Sequence, residues 1–118
     1  EYLVNLNKDV EIIASGSSGI FCLEDSICAG ALVKKMLEHK PEIELTDASN
    51  ASLVLNEKYG SDIFNMMNTC EHGVLLKENG FESDIEFCST IDNLPIIPYF
   101  TGGEIKLLKQ EEKTNNNV

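Results

Sequence analysis

The chain has 118 residues, 42% of them hydrophobic, and its 20 acidic and 9 basic side chains leave a net charge of −11. That is room for one ordinary domain with a real core. So acidic a chain is a poor partner for nucleic acid or an anionic membrane surface, and no apolar run reaches the length of a membrane span or opens the chain as a signal peptide would. The implied location is cytoplasmic. The first residue is Glu1 rather than Met, which marks a processed, cut or partial sequence.

In chain order, residues 1–8 read as a short lead-in. Val10 to Ala14 is short, β-branched and followed by Gly, the pattern of a buried strand. Gly16, Ser17, Ser18 and Gly19 form a small-residue loop. Leu23 to His39 carries Ile27, Cys28, Ala31, Leu32, Val33, Met36 and Leu37 at spacings of three and four, which predicts a helix stopped by Pro41. Glu42 to Leu45 connects it to a second helix, capped by Thr46 or Asp47, running to Tyr59 and ended by Gly60. Ser61 is the expected cap of a third helix, and Cys70 to Glu78 a further helical stretch closed by Asn79-Gly80. Asp84 to Cys88 reads as a strand or edge. Ile96 to Phe100 and Glu104 to Leu108 pair around Thr101-Gly102-Gly103 as a hairpin. Lys109 to Val118 is polar and Asn-rich, a tail expected to be disordered.

The sum is an α/β chain. Residues 1–108 form one domain, with helices packed on a small mixed sheet that would be half of a three-layer α/β/α architecture. In such sheets ligands bind beyond the carboxyl ends of strands, where the Gly16–Gly19 loop would lie.

That loop carries the strongest chemical signal. Its glycines let several backbone N–H groups turn one way, and the helix start beside it adds partial positive charge, so an oxyanion such as phosphate or sulfonate suits it. Glu24 and Asp25 would repel that anion unless a divalent cation lay between, and Mg²⁺ is the usual choice for oxygen ligands. Either carboxylate is also explained by the helix dipole alone. Neighbours on a helix point about 100° apart, so one is expected to hold metal while the other caps or orients. His72 is a candidate general acid or substrate donor, and Asp84 a second candidate; a solvated imidazole and a turn carboxylate are the plainer alternatives. His39 reads as a dipole-complementing surface residue.

All nine bases are lysines. An anion site commonly uses the bidentate Arg fork, so any Arg must come from another segment or subunit. Cys22, Cys28, Cys70 and Cys88 fit no zinc or redox spacing and read as buried, reduced structural thiols.

Several of these stretches together resemble a known family. Leu23-Glu24-Asp25 with Cys28-Ala29-Gly30-Ala31, then Thr46-Asp47-Ala48, Cys70-Glu71-His72-Gly73 with Leu76, Gly80-Phe81, Asp84-Ile85, Phe87-Cys88 and Pro98 follow the order seen in the C-terminal half of 2-phosphosulfolactate phosphatases. The resemblance runs from Val10 to Leu108. The family's N-terminal segments, Asp-Val-Leu-Arg-Ala-Thr and Thr-Thr-Asn-Gly-Thr, are absent.

The resemblance implies Mg²⁺-dependent hydrolysis of a sulfonated phosphoester in coenzyme M biosynthesis. Gly16, Ser17, Ser18 and Gly19 would bind substrate and Glu24 or Asp25 would hold metal. The partners implied are a small phosphorylated sulfonate and the N-terminal half of the enzyme, or a second chain supplying it. A homo-oligomer is compatible. The alternative is a non-catalytic interaction or regulatory domain that keeps the family fold.

Overall fold

The computed structural model describes residues 1–108, and the expected tail from Lys109 to Val118 lies outside the described residues. Six helices come first: α1 (Tyr2–Asn5), α2 (Leu23–His39), α3 (Asp47–Tyr59), α4 (Ile63–Thr69), α5 (Glu71–Glu78) and α6 (Glu82–Cys88). The strands β1 (Pro98–Thr101) and β2 (Glu104–Leu107) follow. The fold class is α/β.

The long helix α2 buries Ile27, Gly30 and Val33 along one stripe. It closes where the Lys40 N–H reaches the Met36 carbonyl at 2.9 Å, just before Pro41. Thr46 caps α3, its Oγ1 accepting the Ser49 N–H at 3.2 Å. The two helices pack closely because Gly30 has no side chain: a Cβ there would lie 2.0 Å from the Ser52 carbonyl oxygen. Asn56 Nδ2 donates to the Ile27 carbonyl at 3.2 Å across the same contact.

A second layer gathers the three short helices. Ile27 of α2, Met66 and Met67 of α4, Cys70 at the α4–α5 junction and Ile85 of α6 form the core, flanked by Leu23, Leu55, Tyr59, Ile63 and Leu76. Each large apolar side chain buried there is worth about 1.5–3 kcal/mol, and three helices of eight residues or fewer depend on that burial more than on propensity.

Four local expectations are corrected. Glu82–Cys88 is a helix, not a strand or edge: Phe81, Ile85 and Cys88 stand at helical spacing, and Ile85, only 1% exposed, belongs to the core. Asp62, not Ser61, caps α4, its carboxylate accepting the Asn65 N–H at 3.1 Å. The lead-in contains α1, and Asn7 beyond it accepts a hydrogen bond from Lys40 Nζ at 3.0 Å.

The fourth concerns Val10 to Ala14, which forms no strand among the described residues. Val10 and Ile12 line a groove of about 870 Å³ against α2 and α3, while Ile13 is 83% exposed. The segment has the β-branched residues of a strand but no neighbouring strand to complete a ladder. Where the sequence suggested a mixed sheet, the sheet described is the antiparallel pair β1–β2, with Pro98 opposite Leu107 and Thr101 opposite Glu104. Every residue of that hairpin is exposed.

Candidate active site

Two helix N-termini meet at one cleft. The first turn of α2 follows Cys22 and the first turn of α5 follows Cys70, and each cysteine occupies the N-cap position. Glu24 is the second residue of α2 and His72 the second of α5, so equivalent positions on the two helices face each other. His72 Nδ1 lies 2.5 Å from Glu24 Oε1. Cys70 Sγ approaches Glu24 Oε2 at 3.8 Å and accepts the Gly73 N–H at 3.4 Å. Ligand atoms of Cys22, Glu24 and His72 all lie within 4.8 Å of one another.

The cleft has a volume of about 550 Å³, and Ser17, Ser18, Cys22, Glu24, Cys70 and His72 are among the residues that line it. His72 and Glu24 retain 36% and 17% side-chain exposure, so both are reachable by a small ligand. With Nδ1–H donating to the Glu24 carboxylate, Nε2 is the ring nitrogen available to a ligand.

The loop beside them is tighter than the sequence suggested. Ser17 and Ile20 exchange two backbone hydrogen bonds, at 3.1 and 2.9 Å. Ser18 and Gly19 between them have φ of +53° and +77°, the signature of a type I′ turn. Gly16 has φ of +66°, and a Cβ there would sit 2.5 Å from the Ile20 carbonyl oxygen. The Gly16 N–H donates to Asp25 Oδ2 at 2.8 Å. The expected cradle of several N–H groups is thus reduced: Gly16 and Ser17 spend theirs inside the fold. Ser18 and Gly19 keep N–H groups without an acceptor among the described residues.

Glu24 and Asp25 therefore part ways. Asp25 turns back to hold the loop, and Glu24 faces the cleft. Asp84 is exposed in the first turn of α6 and does not line this cleft.

Cys22 and Cys70 are the residues at the site that sequence spacing could not join, because they lie on different helices. Burial pushes the Cys22 thiol above its ordinary value, and the charges of Glu24 and Asp25 add to the rise. Burial also raises Cys70, offset in part by the Gly73 N–H and reinforced by Glu24. Cys28 and Cys88, expected to be buried, are exposed; all four cysteines are free.

The matching family model is that of 2-phosphosulpholactate phosphatase, and it covers residues 1–103. This chain belongs to that family. A probable 2-phosphosulfolactate phosphatase of Clostridium acetobutylicum is 32% identical over 105 residues, 89% of this chain and 44% of the relative. One from Caldanaerobacter subterraneus is 33% identical over 105 residues, 89% of the chain and 43% of the relative. One from Clostridium perfringens is 33% identical over 114 residues, 96% of the chain and 45% of the relative. The chain spans less than half the length of these family members. No helix among the described residues is long and apolar enough to cross a membrane.

Proposed function

We propose that this chain is the C-terminal part of a Mg²⁺-dependent phosphatase acting on a phosphorylated sulfonate, of the kind used in coenzyme M biosynthesis in the cytoplasm. One observation carries the reading: in a chain of this family, Glu24, His72 and the turn residues Ser17 and Ser18, distant in sequence, line a single cleft.

The cleft needs a cation for such a substrate. No Lys or Arg lines it among the described residues, and the carboxylates that raise the Cys22 thiol would repel a phosphate dianion. The oxygen donors fit Mg²⁺, which takes one or two carboxylates and completes its shell with solvent and phosphate oxygens. Glu24 would hold it through Oε2, the oxygen approached by the weak thiol donor of Cys70. When bound, the ion supplies charge neutralisation at the phosphoryl oxygens.

The chain's own residues then have separable roles. The N–H group of Ser18 and the start of α2 would face the substrate's anionic end. His72, oriented by Glu24, would pass a proton to the leaving oxygen through Nε2. Asp25 would keep the turn in place.

The remaining half of the family sequence would supply what this half lacks: an Arg clamp, and strand partners for Val10–Ala14 and the hairpin. The test is reconstitution. Phosphate release from a phosphorylated sulfonate is measured with Mg²⁺ for this chain, for a separately expressed N-terminal half, and for the mixture. Turnover by the mixture alone supports the reading, and turnover by this chain alone would place the chemistry wrongly. Halves that associate without turnover would favour the non-catalytic interaction domain, a reading supported by a cleft that no Lys or Arg lines among the described residues.

A further inference from the structure

The ligand chemistry at the cleft is broader than Mg²⁺ requires. Thiol sulfur and imidazole nitrogen are poor donors to Mg²⁺ but good donors to Zn²⁺ and its neighbours. Two such donors, the thiol of Cys22 and the imidazole of His72, converge here with the carboxylate of Glu24 at the starts of two helices.

We propose that Cys22, Glu24 and His72 form a binding site for a Zn²⁺-class cation. The distances allow it. Even an equilateral triangle with the full 4.8 Å between ligand atoms has its centre about 2.8 Å from each corner. Tetrahedral Zn²⁺ needs about 2.0–2.3 Å, so each ligand moves by less than about 1 Å. The His72–Glu24 hydrogen bond opens as the ion enters. The Cys22 thiol loses its proton to solvent and binds as thiolate. Three protein ligands on an open cleft leave a fourth position for solvent, the arrangement of reactive rather than structural zinc sites. Cys70 Sγ, 3.8 Å from Glu24, stands near enough to compete for that position.

The site shares Glu24 with the proposed Mg²⁺ site. If the phosphatase reading holds, Zn²⁺ would displace Mg²⁺ and suppress turnover; the binding itself does not rest on that reading.

The test uses the full 118-residue chain with the exposed Cys28 and Cys88 replaced by Ser, its helix content verified by circular dichroism. Titration with Co²⁺ should give a thiolate-to-cobalt charge-transfer band and tetrahedral visible bands at one ion per chain. Cys22→Ser should weaken the charge-transfer band, and Cys22→Ser with Cys70→Ser should abolish it. His72→Gln, a change at a partly exposed residue, should weaken Zn²⁺ affinity at least about tenfold. A chain that binds Co²⁺ without a thiolate band, or whose Zn²⁺ affinity is the same in Cys22→Ser, His72→Gln and the parent, would overturn the site. Failure of the reconstituted halves to release phosphate would sink the phosphatase reading and leave this result standing.

Discussion

Asp25 Oδ2 accepts the Gly16 N–H at 2.8 Å, so the first turn of α2 fastens the turn that precedes it. Glu24, one residue earlier, points to His72 instead. The two carboxylates thus have different consequences when removed. A hydrogen bond to a charged group is worth about 1.5–3 kcal/mol, and Asp25→Ala should lower stability by about that amount in urea unfolding. Asp25→Asn keeps an acceptor and should lose less. Glu24→Gln should leave the loop intact but remove Mg²⁺-dependent stabilisation, which at about 100 times the dissociation constant amounts to about 2.7 kcal/mol. An unchanged Mg²⁺ response in Glu24→Gln would remove Glu24 from the proposed metal site.

The turn itself sets a second expectation. Ser18 holds φ of +53°, a conformation that costs an ordinary L-residue about 1–2 kcal/mol, while Asn and Gly suit the first central position of a type I′ turn. Ser18→Gly or Ser18→Asn should therefore raise the unfolding midpoint. Gly16→Val should do the reverse, because its Cβ would meet the Ile20 carbonyl at 2.5 Å with φ already positive. It should cost far more than Ser17→Ala in both stability and anion affinity. A destabilised Ser18→Gly variant would show that the turn is not held in this form.

Much of this architecture was legible from local chemistry. Thr46, Gly60 and Pro41 mark the ends of α2 and α3, because capping and chain-stopping depend only on nearby residues. The loop, Glu24 and His72 could be named as candidates, yet their meeting could not: Glu24 and His72 are 48 residues apart, and only packing of α2 against α4 and α5 brings them together. Asp84–Cys88 misled because Ile85 and Phe87 alternate like a strand. The helical signal lay one turn earlier, in Glu82 and Asp84 after Gly80 and in Phe81 four residues before Ile85. Val10 to Ala14 shows the opposite limit: strand-like residues do not make a strand without a partner.

The four thiols should separate by reactivity. Cys28 and Cys88 are exposed, whereas Cys22 and Cys70 are buried and hold their protons more firmly in the folded chain. Brief alkylation at neutral pH, read by peptide mass, should label Cys28 and Cys88 first. The same shifts give stability a direction with pH. Unfolded thiols release their protons near pH 8.5, about their ordinary value, and the folded ones only above it. The contribution of Cys22 and Cys70 is complete below that pH and is lost as pH rises through the unfolded and then the folded values. The midpoint of urea unfolding should fall above about pH 8.5 in the parent and fall less in Cys22→Ser.

The exposed apolar residues outside the cleft lead to the last expectation. Ile13 is 83% exposed, Phe100 73% and Ile105 77%, on a segment without a strand partner and on a two-stranded hairpin left uncovered among the described residues. An isolated hairpin is marginal in water, and edges of this kind are templates for further strands. In the proposed complete enzyme they pair with strands of the other half, which buries both the ladder groups and the side chains. Ile13→Asp and Phe100→Asp should then leave the chain's helix content unchanged, since neither side chain joins the core of Ile27, Met66, Met67, Cys70 and Ile85. Each should weaken association with the N-terminal half by at least about tenfold, the equivalent of about 1.4 kcal/mol and less than the burial of one such side chain supplies. Hydrogen exchange of the amides from Val10 to Ala14 and from Pro98 to Leu107 should slow on association in the parent and stay fast in the variants. Equal affinity in parent and variants would move the contact between the halves to another face.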